Sequence, residues 1–176
     1  VGGGNVAMDA ARTALRLGAE VHIIYRRSEE ELPARAEEVH HAMEEGIIFK
    51  LLNNPVQILG DEKGNVRAIE CVEMELGEPD ASGRRKPIAK EGSNFEIPVD
   101  MVIMSIGTKL NTLILDTTEK LEANQKGGIG TDAAAATNRE GIFAGGDAVT
   151  GAATVIKAMG AGKTAAASID EYLSKK

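Results

Sequence analysis

The chain of 176 residues contains no tryptophan, and aromatic side chains make up only 3% of it. Base-stacking platforms and aromatic cages need several such rings, which argues against both. Its single cysteine, Cys71, excludes an intrachain disulfide, a four-cysteine zinc site and a cysteine-ligated iron–sulfur cluster within these residues. Basic charge is also in deficit: 20 Lys+Arg against 27 Asp+Glu leave a net charge of −7. Nothing here neutralises a nucleic-acid backbone or an anionic membrane overall, so neither is expected as a partner. No run of about 18 apolar residues exists, so no membrane span is expected. No signal-peptide pattern is present, which makes the cytoplasm the default setting. Glycine, by contrast, is plentiful at 20 residues, so tight turns and close backbone approaches should matter. With 43% hydrophobic and 27% charged residues, the composition is that of an ordinary globular chain, one generous domain or two small ones.

Residues 1–7 read Val-Gly-Gly-Gly-Asn-Val-Ala, which fits G-x-G-x-x-A at Gly2, Gly4 and Ala7, with Gly3, Asn5 and Val6 between them. That fingerprint closes a central buried strand of about five apolar residues, of which Val1 alone is here. The chain is therefore expected to be the C-terminal piece of a longer protein whose preceding part supplies the strand. Asn5 to Leu17 reads as a helix with Val6, Ala10, Ala14 and Leu17 on its inner face, stopped by Gly18. Glu20 to Tyr25 is β-branched and reads as a buried parallel strand. Ser28 and Glu31 form a capping box, and Pro33 suits the first turn of a helix running to about Glu45, stopped by Gly46. Ile47 to Leu52 is a further strand. This order is the dinucleotide-binding half of a doubly wound α/β sheet.

In such a half, glycines let the backbone approach a pyrophosphate, and the helix N-terminus offers free N–H groups and partial positive charge. Where NAD is bound, an acidic residue ends the second strand and holds the ribose 2′-hydroxyl. Here that place holds Tyr25-Arg26-Arg27, with no carboxylate until Glu29. Two guanidiniums fork onto a 2′-phosphate, so Arg26 and Arg27 predict NADP rather than NAD.

From 53 to 100 the texture changes. Val56–Leu59, a turn over Asp61–Asn65 and Val66–Leu76 alternate like antiparallel strands. Gly77 to Asn94 reads as an exposed polar loop, its Arg84-Arg85-Lys86 run as solvated charge. Phe95–Pro98 leads to Met101–Ile106, a continuous apolar strand ending in Gly107, which joins the cofactor-binding candidates. Cys71 reads as a small buried hydrophobe. His22, His40 and His41 lack metal spacing, and no residue is assigned a catalytic role.

The last third carries a second signal. Residues 137–147 run from a loop through a short apolar strand to Gly145-Gly146-Asp147, followed by a helix from about Thr154 to Leu173 with Val155, Ile156, Met159, Ile169 and Leu173 for packing. A carboxylate there is placed to accept from polyol hydroxyls, or equally to cap the helix. Gly162-Lys163-Thr164 imitates the end of a phosphate loop, but Lys157 stands where the pattern needs glycine, and the run falls inside a helix.

Together, Gly2-Gly3-Gly4-Asn5-Val6-Ala7-Met8-Asp9, Tyr25-Arg26-Arg27, Leu32-Pro33-Ala34 and the Gly-Gly-Asp segment resemble the flavoprotein reductases with two dinucleotide domains. Within them the chain looks most like the small (beta) subunit of NADPH-dependent glutamate synthase and its relatives. The resemblance implies a Rossmann-like NADP-binding domain with an antiparallel meander over residues 1–107, and the closing segment of an FAD-binding domain over 108–176. It implies that Gly146 and Asp147 hold the FAD ribitol, and that Ala153, Thr154 and Val155 start the helix beneath the flavin ring. FAD binding is then expected only with the preceding half, and iron–sulfur clusters elsewhere in the full protein. The implied activity is hydride transfer from NADPH to FAD and on to iron–sulfur centres. The implied partner is the large glutamate synthase subunit or another electron-accepting subunit. Two alternatives stay open: a related flavoprotein, such as a ferredoxin–NADP transhydrogenase subunit, and a nucleotide-binding module without a redox role.

Overall fold

The computed structural model describes residues 1–79 and 83–176; of the loop expected over 77–94, residues 80–82 lie outside the described residues. The chain divides into two compact units, Val1–Ile106 and Gly107–Lys176.

In the first unit, helix α1 (Asn5–Arg16) leads to strand β1 (His22–Tyr25), a 3₁₀ turn (Glu29–Glu31), helix α2 (Ala36–Glu44) and strand β2 (Ile48–Leu51). β1 and β2 pair in parallel, His22 opposite Ile48 and Tyr25 opposite Leu51. The α/β order expected from the sequence is present, and Gly18 and Gly46 end the two helices at φ of +95° and +97°. The inner face of α1 is not the expected one. Val6 and Leu17 are exposed, and Ala7, Met8 and Ala11 are buried instead, with Leu15 packed behind them. The ridge that meets Ile23, Val39, Ala42 and Ile47 is thus built on small side chains and one methionine, which lets the helix lie close on the strands. The capping box of Ser28 and Glu31 is real, but it caps the 3₁₀ turn; α2 begins only after Arg35, and Pro33 lies in the link between the two.

Successive residues of β1 face opposite ways, so Ile23 enters the helical cluster while Ile24 joins Ile69, Cys71 and Ile97 on the other side. That second layer is an antiparallel meander: β3 (Asn53–Gly60), β4 (Val66–Pro79), β5 (Arg85–Ala89) and β6 (Phe95–Pro98). The first part of β4 pairs with β3 and β6, and its second part with β5, Met74 opposite Ala89 and Pro79 opposite Arg85. Much of the expected loop after Leu76 is therefore strand. The reason is long-range: β5 finds a partner in the extension of β4, and its Arg85 finds the carboxylates of Glu30 and Glu31 outside the meander.

Residues 101–106 form no strand. They lie beside Val1, whose amino group donates to the Ile103 carbonyl at 2.8 Å and whose carbonyl accepts the Ser105 N–H at 2.7 Å. On its other side, the Gly2 N–H donates to the Ile24 carbonyl at 3.0 Å. Val1 therefore occupies the position between β1 and residues 103–105, and its bonds to that segment are too few to make a ladder.

The second unit holds helices α3 (Leu113–Thr117), α4 (Asp147–Thr150) and α5 (Val155–Ser174), with isolated bridges Ala123–Ile129 and Ala136–Phe143 instead of the expected short strand. The apolar side chains expected to pack α5 are exposed: Val155, Ile156, Met159, Ile169 and Leu173. The helix is held by its small residues. A β-carbon on Gly145 would meet the Ala161 β-carbon at 3.1 Å, and one on Gly146 would meet that of Ala158 at 3.5 Å. Near the far end of α5, Phe143 and Tyr172 meet edge to face at 5.9 Å.

Candidate functional site

The three glycines of the first turn do different work. A β-carbon on Gly2 would fall 2.3 Å from the Ser105 carbonyl oxygen, and one on Gly3 within 2.8 Å of the Tyr25 ring and of Leu32. Both positions are closed by packing. A β-carbon on Gly4 would meet nothing within 4 Å. Gly4 is the N-cap of α1, with no side-chain cap, so the N–H groups of Asn5 and Val6 at the first turn have no intrahelical acceptor. Ala7, 4% exposed, lets α1 sit against the sheet. An open glycine followed by uncapped helix donors is the geometry in which a backbone receives a phosphate or pyrophosphate.

Loop 26–35 closes the side of this turn. The Ala34 N–H donates to the Gly3 carbonyl at 3.0 Å, and the Arg35 N–H donates to Asn5 Oδ1 at 2.9 Å. Arg35, which sequence reasoning did not single out, is thereby brought to the turn with its side chain exposed. The Tyr25 hydroxyl donates to the Glu31 carbonyl at 2.7 Å, fixing the ring that packs on Gly3.

The two arginines that end β1 are not equivalent. Arg26 is exposed and makes no hydrogen bond or ion pair among the described residues, whereas Arg27 is buried and donates Nε–H to the Arg85 carbonyl at 2.8 Å. The reading of the Arg84-Arg85-Lys86 run as solvated loop charge is overturned for Arg84 and Arg85, while Lys86 is exposed. Arg85 pairs with Glu31 at 2.8 Å and with Glu30 at 3.1 Å, and Arg84 bonds the Tyr25 hydroxyl at 3.0 Å. The Glu31 carboxyl is held down to about 2, first by the Ser28 hydroxyl and then by Arg85. A cavity of about 900 Å³ lies beside this loop, lined by Ser28, Leu32, Val39, Met43, Leu76 and Arg85 among others.

In the second unit Gly107 takes φ of +89°, which favours glycine. Asp147 is exposed at the first position of α4 and its side chain caps no helix among the described residues, so the capping alternative fails there. Gly146 precedes it at φ +69°. Asn124, missed in the sequence, holds α4 in place. Its Nδ2 donates to the Val149 carbonyl at 2.7 Å, while its Oδ1 accepts from the N–H groups of Lys126 and Gly128. The bonds of Oδ1 to the next few residues make a local turn, but the bond to Val149, 25 residues on, has no local sequence signature. Thr154 caps α5 by accepting from the Lys157 N–H at 3.4 Å, with Ala153 and Val155 exposed on either side.

A family model described as pyridine nucleotide-disulphide oxidoreductase matches residues 1–162. The chain belongs to that family. Curated relatives of this oxidoreductase-family chain include the "NADP(+)-dependent formate dehydrogenase subunit beta" of Moorella thermoacetica, 51% identical over 175 residues, covering 98% of this chain and 24% of that protein. The "NADPH-Fe(3+) oxidoreductase subunit beta" of Geobacter sulfurreducens is 42% identical over 197 residues, covering 99% and 29%. The "Glutamate synthase [NADPH] small chain" of Escherichia coli is 39% identical over 178 residues, covering 98% and 38%. The chain thus spans about a quarter to two-fifths of the length of these relatives. The resemblance to the glutamate synthase small-subunit group is met, and that group sits among other oxidoreductase beta subunits. Among solved structures, thioredoxin reductase of Lactococcus lactis matches with a TM-score of 0.79 at 24% identity, covering 99% of this chain and 52% of that one, which supports the fold.

Proposed function

We propose that this chain is the NADP(H)-binding part and the closing FAD-contacting segment of an NADPH-oxidising flavoprotein subunit. The observation that carries the reading is the open Gly4 and uncapped α1 N-terminus beside Arg26 and Arg27 at the end of β1. In it, residues 1–107 bind the dinucleotide: Gly2 and Gly3 shape the turn, while Gly4, Asn5 and Val6 face the pyrophosphate and Arg26 and Arg27 read the 2′-phosphate. Residues 108–176 belong to the flavin side, Gly146 and Asp147 accepting from the ribitol, and Ala153, Thr154 and Val155 presenting the α5 N-terminus to the flavin ring. The bound pair supplies hydride transfer from nicotinamide to flavin, with single electrons passing on through iron–sulfur centres. This chain's residues bind and orient, and none is asked to act as acid, base or nucleophile.

The electron-exchanging partner is read as another subunit. The relatives named glutamate synthase small chain support the large subunit of that enzyme. The 51% identity to a subunit named for an NADP(+)-dependent formate dehydrogenase supports a redox subunit of a different enzyme. Assays of the full-length protein with its genomic neighbours separate the two: NADPH oxidation driven by 2-oxoglutarate and glutamine favours the first, and NADP⁺ reduction driven by formate the second.

Calorimetric titration of the full-length protein with NADP⁺ and NAD⁺ tests the nucleotide reading. We expect a preference for NADP⁺ that Arg26→Ala with Arg27→Ala abolishes while NAD⁺ affinity stays nearly unchanged. Equal loss for both nucleotides would overturn it.

A further inference from the structure

The β4–β5 hairpin supplies no part of the glycine turn or of the strand ends used above, yet its arginines reach the end of β1 and the loop after it. The Arg85 carbonyl accepts Nε–H of Arg27 at 2.8 Å. The Arg85 guanidinium gives Nε to Glu31 at 2.8 Å, and Nη2 to Ser28 Oγ at 3.3 Å and Glu30 at 3.1 Å. Arg84 Nη2 donates to the Tyr25 hydroxyl at 3.0 Å and to the Glu31 carbonyl at 3.1 Å. Tyr25 is the ring that closes against Gly3.

Arg27 is only 8% exposed. A guanidinium so deeply placed is ordinarily paired with a carboxylate. Here its single bond among the described residues runs from Nε to a carbonyl, which orients the group without cancelling its charge. Its Nη groups remain as a fork of donors matched to a phosphate. Of the three carboxylates that follow Arg27 in sequence, Glu30 and Glu31 are engaged by Arg85, and Glu29 is exposed to solvent. Arg85 therefore does two things near Arg27: its carbonyl orients the guanidinium, and its own guanidinium engages Glu30 and Glu31.

We infer that the hairpin is a second half of the coenzyme site: Arg84 and Arg85 are positioning residues that hold Tyr25 and Arg27 and thereby set the preference for a 2′-phosphorylated nucleotide. The inference rests on the NADP(H) reading above. It makes coenzyme choice depend on a segment almost 60 residues downstream of the strand end that touches the phosphate.

The test uses the full-length protein and the dissociation constants of NADP⁺ and NAD⁺. Arg85→Ala is expected to weaken NADP⁺ about tenfold or more, the scale of a charge-assisted contact, while NAD⁺ changes less than about twofold. Arg84→Ala is expected to act in the same direction. Adding Glu31→Gln to Arg85→Ala is expected to recover part of the NADP⁺ affinity, because the released carboxylate no longer competes for Arg27. A purely structural role would weaken both nucleotides together and would show no such recovery. Parallel loss of both nucleotides, or no change in either, overturns the inference. If the hairpin variants keep the preference while Arg26→Ala with Arg27→Ala removes it, the hairpin inference fails and the NADP(H) reading stands. If both sets of variants keep the preference, the reading of the 2′-phosphate site fails as well.

Discussion

Gly2 lies against Ser105 with no room for a side chain: a β-carbon on Gly2 would stand 2.3 Å from the Ser105 carbonyl oxygen, at a φ of +131°. Gly2→Ala must therefore move backbone as well as accept a strained dihedral, at a cost on the order of 3 kcal/mol. Gly4→Ala meets open space and a φ of −90°, so its stability cost should stay within about 1 kcal/mol. The methyl group then stands where a pyrophosphate would approach. Thermal melting and nucleotide titration of the two variants should dissociate: Gly2→Ala lowers the melting temperature, and Gly4→Ala lowers affinity at near-normal stability. Equal melting losses would mean Gly4 is not open.

Low pH should loosen the junction between the hairpin and loop 26–35. The Glu31 carboxyl is depressed to about 2 from an ordinary value of 4.5, by Ser28 and then Arg85. A depressed carboxyl contributes stability that is fully present above pH 4.5 and is lost as pH falls towards 2. Glu31→Gln should remove that part of the pH dependence. Melting temperatures of the wild type and Glu31→Gln are expected to converge as pH is lowered through this window; a constant gap would refute the assignment.

Cys71 should resist thiol reagents in the native state. It is fully buried on β4 between Pro55 of β3 and Phe95 of β6, and burial first, then Glu70, pushes its thiol up. Maleimide labelling is expected to begin only with unfolding, so labelling rate should track denaturant concentration. Rapid labelling in buffer would show that the meander opens locally.

In the full-length protein, Asp147→Ala should lower flavin retention. Asp147 heads α4, caps nothing and is exposed, so its carboxylate is not committed elsewhere among the described residues. Flavin absorbance after dialysis measures the effect, and full occupancy in the variant would remove Asp147 from the ribitol site.

The legible parts of this chain are those written locally. Gly2-Gly3-Gly4, the helix stops at Gly18 and Gly46 and the capping box of Ser28 and Glu31 depend on residues within a few positions, and each is present, though the box caps a 3₁₀ turn rather than α2. The inner face of α1 was misread because Val6 and Leu17 are larger than Ala7 and Ala11, and hydrophobic bulk outweighed register. Strand β5 is hidden in the sequence because the Arg84-Arg85-Lys86 run looks like a loop until Glu30, Glu31 and Tyr25 meet its two arginines. The apolar run at 101–106 reads as strand, but a strand is a property of its neighbours as well as of its own side chains. Arg35 and Asn124 were missed for the same reason, since their tethers are long-range.

The seat of α5 on Gly145 behaves as a fulcrum. Contact at Ala161 leaves about 20 Å of helix on its C-terminal arm and about 10 Å on the arm that ends at Thr154, at 1.5 Å per residue. A methyl group added at Gly145 does not merely fill space; it wedges the helix at its pivot. A tilt of only about 5° then displaces the far end by roughly 2 Å and the Thr154 end by about half that. Small residues at this pivot therefore act as a calibration of where the helix points.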